Sequence, residues 1–459
     1  GFSHTHLSGT GCLDYGDILF IPTVNAWNAK DYSLHFSHKD ESAVAGYYKV
    51  KGYNEDSILV ELTATERGGY HRYTFPTNNK TMTIIIDMKH RTTLLDYDIQ
   101  IFDKNTVVGY RRSKAWNEDK KIYFAARFNR NIVKSFLDEN TKKLYLSFGE
   151  SNQDNNIVEA KVCLSSVDMV GALKNLNNET CKDFNQAREL SRNLWEKALS
   201  KIEVEGGTKE EQMVFYTALY HTMITPNLYS DVDGRYRGMG KDEFNNNNVK
   251  IEKDRICTAK DYNRYTVFSL WDTYRTLNSL LSIIDRKHSL DFAKTFLDVY
   301  KQNGELPMWE LASYETYCMI GIHGISVLAD WYMKGIKGDE GLTMEAMINN
   351  ANSKRKMDNL SNNYNRTDYH LYGLDYFDNQ GYISSENEHE GVSKTVEYCY
   401  NMYCVAQIAK KQGKMDVYNE FIKKAQYYKN LFNPQNTFIQ PKENGRFLKN
   451  FDPKQIDIN

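Results

Sequence analysis

Between about residue 45 and residue 165 apolar and polar side chains alternate, the period of a strand with one buried face. Met82, Ile84, Ile86 and Met88 show it, as do Ile122, Phe124, Ala126 and Phe128. Leu144, Leu146 and Phe148 follow, and then Val158, Ala160, Val162 and Leu164. Clusters of Gly, Asn, Asp and Lys separate these short runs, and no helical period intervenes. The pattern predicts an antiparallel β-sandwich over residues 1–182.

Near Thr208 the period changes to that of a helix. The Thr208 hydroxyl and Glu211 have the spacing of a reciprocal N-terminal capping box. Phe215, Leu219 and Thr222 continue one face, and Leu270, Leu277, Leu281 and Ile284 form a second stripe. Further helices are predicted near 288–302, 314–335, 340–355, 392–412 and 415–432. Helix following helix with no repeat of fixed length favours a ring of helical hairpins over a solenoid. The expected architecture is therefore multidomain β + α: the sandwich, a helical linker at 183–206, and an incomplete (α/α)6 toroid over 207–459. Residues 349–369, rich in Asn, Lys, Asp and Arg, read as an inserted solvated loop.

With 459 residues the chain exceeds what one hydrophobic core usually serves. Its 58 Lys and Arg stand against 60 Asp and Glu, a net charge of −2, so no excess of cations exists to neutralise a phosphate backbone, and nucleic acid is not an expected partner. No apolar run is long enough to predict a membrane-spanning helix. The 33 tyrosines supply flat amphipathic rings suited either to a core or to stacking on sugars. Seven cysteines with no CxxC pair argue against structural zinc. Sequons at Asn79, Asn178, Asn359 and Asn365 would suit a glycosylated secreted protein. The opening Gly1-Phe2-Ser3-His4, without an initiator Met, reads as a processed product.

Several strings are long and unusual: GFSHTHLSGTGCLDYGDILFIP (1–22), ELTATERGGYHRYTFP (61–76), DVDGRYRG (231–238), SLWDTYRT (269–276), LPMWELASYETYCMIGIHG (306–324) and EGVSKTVEYCY (390–400). In content and order they resemble glycoside hydrolase family 92, the calcium-dependent exo-α-mannosidases. That resemblance implies a sandwich joined to an (α/α)6 barrel with the active site at their junction. It also implies a secreted, cell-surface or periplasmic enzyme that removes terminal α-linked mannose from N-glycans or mannans with inversion. Inverting glycosidases hold two carboxyl groups about 6.5–9.5 Å apart to admit a water. Calcium is expected to contact sugar hydroxyls, for which its many-oxygen, flexible coordination is suited. The family's acid lies in a Glu-Gly-x-Ala-Trp-Gln-Tyr type motif and its base in a Gly-Asn-Asp-Asp type motif, both downstream of a segment like FDPKQ (451–455). Neither motif occurs here, so acid, base and most metal ligands are expected after Asn459.

The resemblance carries over a substrate-binding shell. Trp271, Asp272 and Arg275 fall within one helical turn, with Asp272 the expected grip on sugar hydroxyls; an internal Asp272–Arg275 ion pair is the alternative. Glu310 and Glu315, after Pro307 and Trp309, are expected at a helix start, as pocket carboxylates or as first-turn acids favoured by the helix dipole. His4 and His6 lie on a loop of small residues and are assigned to substrate contact or to packing at the domain interface. Glu390 joins the shell, whereas Glu386, Glu388 and His389 read as a solvated approach to a helix, and His323 as a core histidine. The chain departs from the family pattern at Ala45, at Asn278-Ser279 and at Ser313-Tyr314, where Tyr314 could narrow the cleft. Two other functions stay open: a carbohydrate-binding protein without chemistry, and a glycoside phosphorylase.

Overall fold

The structure is a computed structural model that describes residues 1–24, 32–53, 57–240, 255–353 and 373–454. The chain forms two compact units. One comprises Gly1–Arg237 with Ile256–Arg264, the other Gly238–Arg255 with Tyr265–Asn459.

The first unit is built on two antiparallel sheets. Its strands are β1 (Leu19–Thr23), β2 (Phe36–Val44), β3 (Tyr47–Gly52), β4 (Leu59–Ala64), β5 (Gly68–Thr74) and β6 (Thr81–Asp87). They continue with β7 (Thr93–Ile101), β8 (Thr106–Lys114), β9 (Lys120–Phe128), β10 (Lys134–Asp138), β11 (Lys143–Glu150) and β12 (Ile157–Ser165). The smaller sheet runs β1-β6-β11-β10 and the larger β2-β3-β4-β5-β12-β9-β8-β7. Rings from both sheets meet in the core: Phe20 on β1 stacks on Phe128 of β9, and Phe128 packs on Phe148 of β11 with centroids 4.8 Å apart.

The alternation read in the sequence is present in β9 and β12 except at Ala125 and Cys163, which are buried beneath the helix Met169–Asn178. In β6 it is exceeded. Met82, Ile84 and Ile86 are buried as expected, but Thr83 and Ile85 between them are buried too. β6 is a central strand, and on its second face Ile85 is flanked by Ile21 and Tyr145 of the neighbouring strands, with Tyr32 packed against the cluster. Three helices follow: α1 (Met169–Asn178), α2 (Phe184–Leu199) and α3 (Lys209–His221). α1 sets Ala172 and Leu176 on Val108, Ala125 and Cys163 of the larger sheet. The 183–206 stretch contains α2, capped by the Asp183 carboxylate, which seats Phe184 and Ala187 against Tyr70. α3 starts at the expected capping box, Thr208 and Glu211 each accepting the other's backbone N–H.

The second unit is helical: α4 (Leu270–Thr273), α5 (Leu277–Ile284), α6 (Arg286–Asn303), α7 (His323–Met333), α8 (Glu340–Ala351), α9 (Leu374–Gln380), α10 (Gly391–Lys411) and α11 (Met415–Lys424). Phe292 and Phe296 of α6 pack on Trp331 of α7, and α10 buries Met402, Val405 and Ile408. Among the described residues these helices form no closed barrel. The loop expected at 349–369 lies largely outside the described residues, as do Asn359 and Asn365.

One expected helix, 314–335, is shorter than expected. Residues 314–322 do not continue α7 backward; Tyr314–Glu315 is a strand paired with Trp309–Leu311, which pairs in turn with Phe268–Ser269. Tyr317, Met319 and Gly321 all have positive φ, which no right-handed helix accommodates, so α7 begins only at His323.

Candidate functional site

The turn α4 springs from Ser269, whose backbone pairs with Trp309. Its side chain donates to Asp272 Oδ2. Asp272 is exposed, so its carboxylate retains acceptor capacity toward solvent. Arg275, one turn on, does not pair with it. The guanidinium donates to Glu397 Oε1 at 2.5 Å and lies over the rings of Tyr274 and Trp271, 4.5 and 5.3 Å from their centroids. The internal Asp272–Arg275 ion pair considered from the sequence is therefore replaced by a longer-range one.

Glu397 is the hub of this cluster. Its Oε2 accepts from Tyr274 Oη at 2.7 Å and lies 3.3 Å from His323 Nε2. The His323 imidazole stacks on Tyr274 with centroids 3.7 Å apart and planes 6° from parallel. Burial, with the Arg275 charge adding to it, pushes His323 down to about 3, so the ring is neutral beside the carboxylate. His323 is the core histidine expected, and it also buttresses Tyr274. Glu397 compensates Arg275, while Asp272 is exposed and Trp271 is half-buried with Arg275 over its ring.

The EGVSKTVEYCY string contributes differently from the sequence reading. Glu390 is exposed, in a left-handed conformation just before α10, and makes no capping bond. Glu397, two turns along the same helix, is the residue that reaches Arg275. The helical period could have found it, because Lys394, Glu397, Tyr398 and Asn401 share the buried face. Glu388 was read as solvated, yet it is buried and takes Lys394 Nζ at 3.1 Å. Glu386 accepts from the Asn444 amide.

Glu310 and Glu315 are not at a helix start. They face each other across the hairpin register and are both buried. Glu315 accepts the amides of Met308, Trp309 and Tyr317 at 2.8–3.0 Å, and Glu310 those of Val267 and Ser313 together with the Thr266 hydroxyl. Burial lifts Glu315 to about 7, with the Glu310 charge adding a little, against the pull of its three amide bonds. The helix-dipole alternative fails for both, since neither begins a helix.

In the first unit, the opening segment is fastened by buried charges. Asp17 accepts from Arg111 at 2.5 Å, Lys120 at 2.8 Å and Thr5 at 3.0 Å. Asp14 accepts the amides of Trp116 and Asn117. His4 lies on this segment, and both its ring nitrogens are engaged. Its Nδ1 meets the Ile18 carbonyl at 2.7 Å, so that nitrogen carries the proton. Nε2 then accepts from His71 Nε2 at 2.8 Å, and His71 Nδ1 accepts from Tyr73 Oη at 2.7 Å. Desolvation holds His4 at about 4 and His71 well below its usual range, so the chain is neutral. His4 therefore packs inside this unit, and substrate contact through its nitrogens is not available. His6 is exposed, 3.2 Å from Ser8 Oγ.

Among the described residues no group of three or more His, Cys, Asp or Glu side chains could hold a metal ion. In the α4 cluster Glu397 is already engaged by Arg275 and Tyr274. These residues do not fit calcium, and no step is derived through it.

Two sequence profiles cover the chain: the glycosyl hydrolase family 92 N-terminal domain matches residues 1–165 and the glycosyl hydrolase family 92 catalytic domain residues 171–458. The chain belongs to glycosyl hydrolase family 92. Its fold matches a family GH92 alpha-mannosidase from Bacteroides thetaiotaomicron, solved in complex with mannoimidazole, with TM-score 0.86 and 31% identity over 99% of this chain and 60% of that one. An inverting GH92 mannosidase from the same organism shares the fold with TM-score 0.80, at 24% identity over 95% of this chain and 58% of that one. A curated relative from Arthroderma benhamiae, described as an uncharacterized secreted glycosidase, is 23% identical over 99% of this chain and 58% of its own length. The chain thus spans 58–60% of the length of these relatives. No helix among the described residues is long and apolar enough to cross a membrane.

Proposed function

We propose that this protein is a secreted exo-acting α-mannosidase that removes terminal α-linked mannose from N-glycans or mannans with inversion, and that the calcium assisting it is held by ligands other than the α4 cluster. The observation carrying this reading is the α4 cluster within a family 92 catalytic domain. Asp272 offers outward acceptors to sugar hydroxyls, and Trp271 offers an aromatic face to a pyranose ring. Arg275 is held over the Trp271 ring by Glu397. A mannosidase bound to mannoimidazole among the structures of the same fold supports a mannose-configured ligand.

The reading is tested by incubating the protein with α-mannobioses, with and without a chelator, and measuring free mannose. Release abolished by chelator supports it. No release in calcium overturns it, and release indifferent to chelator removes the metal from it. One observation favours a second reading, a sugar-binding protein without chemistry: Glu310, Glu315 and Glu397 all have their oxygens engaged internally. Binding of a mannoside with no turnover would establish that reading.

A further inference from the structure

Non-glycine residues with positive φ are concentrated around the three-stranded sheet that precedes and follows α4. Val267 has φ 69°, Ala312 51°, Ser313 60° and Tyr317 51°. For a β-branched residue such as Val267 this conformation is a genuine outlier, and such strain persists only where the surroundings over-determine it. Here two buried carboxylates do so. Glu310 takes the amides of Val267 and Ser313 at 3.1 and 2.6 Å, and Glu315 takes that of Tyr317 at 3.0 Å. The Ala312 amide is held one step removed, donating at 2.7 Å to Thr266 Oγ1, whose proton goes to Glu310. Every one of these four strained residues has its own N–H tied to a carboxylate directly or through one hydroxyl.

The same bonds lead to the sugar-facing residues. Met308 donates its N–H to Glu315 Oε2 at 3.0 Å, and its carbonyl accepts the N–H of Leu270, the first residue of α4, at 3.3 Å. α4 has no side-chain cap of its own, and the Met308 carbonyl holds its first N–H. Glu310 grips Val267, two residues before Ser269, and Ser269 in turn donates to Asp272.

We propose that Glu310 and Glu315 are positioning residues: a pair of internal carboxylates that hold a strained backbone in place and thereby fix the orientation of Asp272 and Trp271 toward a bound mannosyl ring. The proposal rests on the mannoside-binding reading above for its ligand, though not for the clamp itself. Carboxyl groups suit the task because their oxygens carry several lone pairs and can take two or three converging N–H groups. Neither side chain needs to touch sugar.

The test compares the wild type with Glu310→Gln, Thr266→Val and Thr266→Ser. Amide hydrogen exchange is followed in peptides covering 265–276 and 305–320, with β6 as the internal reference, and affinity for mannoimidazole is measured by calorimetry. Thr266→Val removes the relay hydroxyl at nearly constant volume and keeps the test open should Glu310→Gln not fold. Expected in both is exchange at least about tenfold faster in the two segments, unchanged in β6, and affinity weakened by at least about tenfold, the order set by one charge-assisted hydrogen bond. Thr266→Ser, which keeps the hydroxyl, restores both. Unchanged exchange in 265–276 overturns the clamp, and faster exchange with unchanged affinity overturns its link to Asp272. If the wild type itself binds no mannoimidazole, the mannoside reading fails and the exchange comparison alone decides the clamp.

Discussion

Glu397→Gln removes one oxygen acceptor from the centre of the α4 cluster while preserving its shape. In the wild type Oε1 takes Arg275 and Oε2 takes Tyr274, at 2.5 and 2.7 Å. The glutamine carbonyl keeps one of these donors, and its NH2 confronts the other. One charge-assisted bond is lost, worth about 1.5–3 kcal/mol. The lost ion pair adds no more than about 1 kcal/mol, because the Arg275 side chain is 51% exposed and screened by water. The expected destabilisation is about 2–3 kcal/mol, which lowers the melting temperature of a unit of this size by roughly 5–10 °C. Differential scanning calorimetry reads the shift. A double-mutant cycle with Arg275→Met isolates the pair, with an expected coupling of about 1–2 kcal/mol. Effects that simply add, to within about 0.5 kcal/mol, would show that Glu397 does not hold Arg275 and would refute the cluster as described.

Three further outcomes follow from other parts of the structure. Burial keeps Glu315 protonated up to about pH 7 in the native state against an ordinary value of 4.5, so the folded protein binds the extra proton between those values. Its contribution to stability is complete below about pH 4.5 and is lost as pH rises through about 7, and Glu315→Gln should flatten that slope in urea titrations at pH 5 and 8; an unaltered slope counts against the assignment. Asp17→Asn strips Arg111 and Lys120 of a buried partner and should cost about 3–5 kcal/mol in chemical denaturation, with a loss below about 1 kcal/mol contradicting it. Gly171→Ala would set a Cβ 2.3 Å from Asp231 Oδ2 and 2.6 Å from Ser165 Oγ, so a cost of about 1–3 kcal/mol is expected, and a neutral result would mean the helix start shifts freely.

Much of the architecture was legible because it rests on local periodicity. The alternation through β9 and β12 and the Thr208–Glu211 box are written in neighbouring residues. What escaped depends on partners distant in sequence. Trp309 to Glu315 read as a helix start because Pro307 and two acids stood together, yet those acids serve amides as far away as Val267. His4 read as a loop histidine for substrate contact or domain-interface packing, whereas its partner is His71 on β5. Glu397 went unread in the string that Glu390 opens, because helix phase, not position in the string, decides which carboxylate faces Arg275. Asp272 and Trp271 came from the resemblance alone; at the start of α4 Asp272 is exposed and Trp271 half-buried.

The central claim is that Asp272 grips the hydroxyls of a mannose-configured ring. Calorimetric titration of mannoimidazole into the wild type and into Asp272→Ala addresses it directly. Measurable binding to the wild type is expected, with an affinity at least about tenfold weaker in the variant, the value of one hydrogen bond to a charged group. Equal affinities in the two proteins would contradict it.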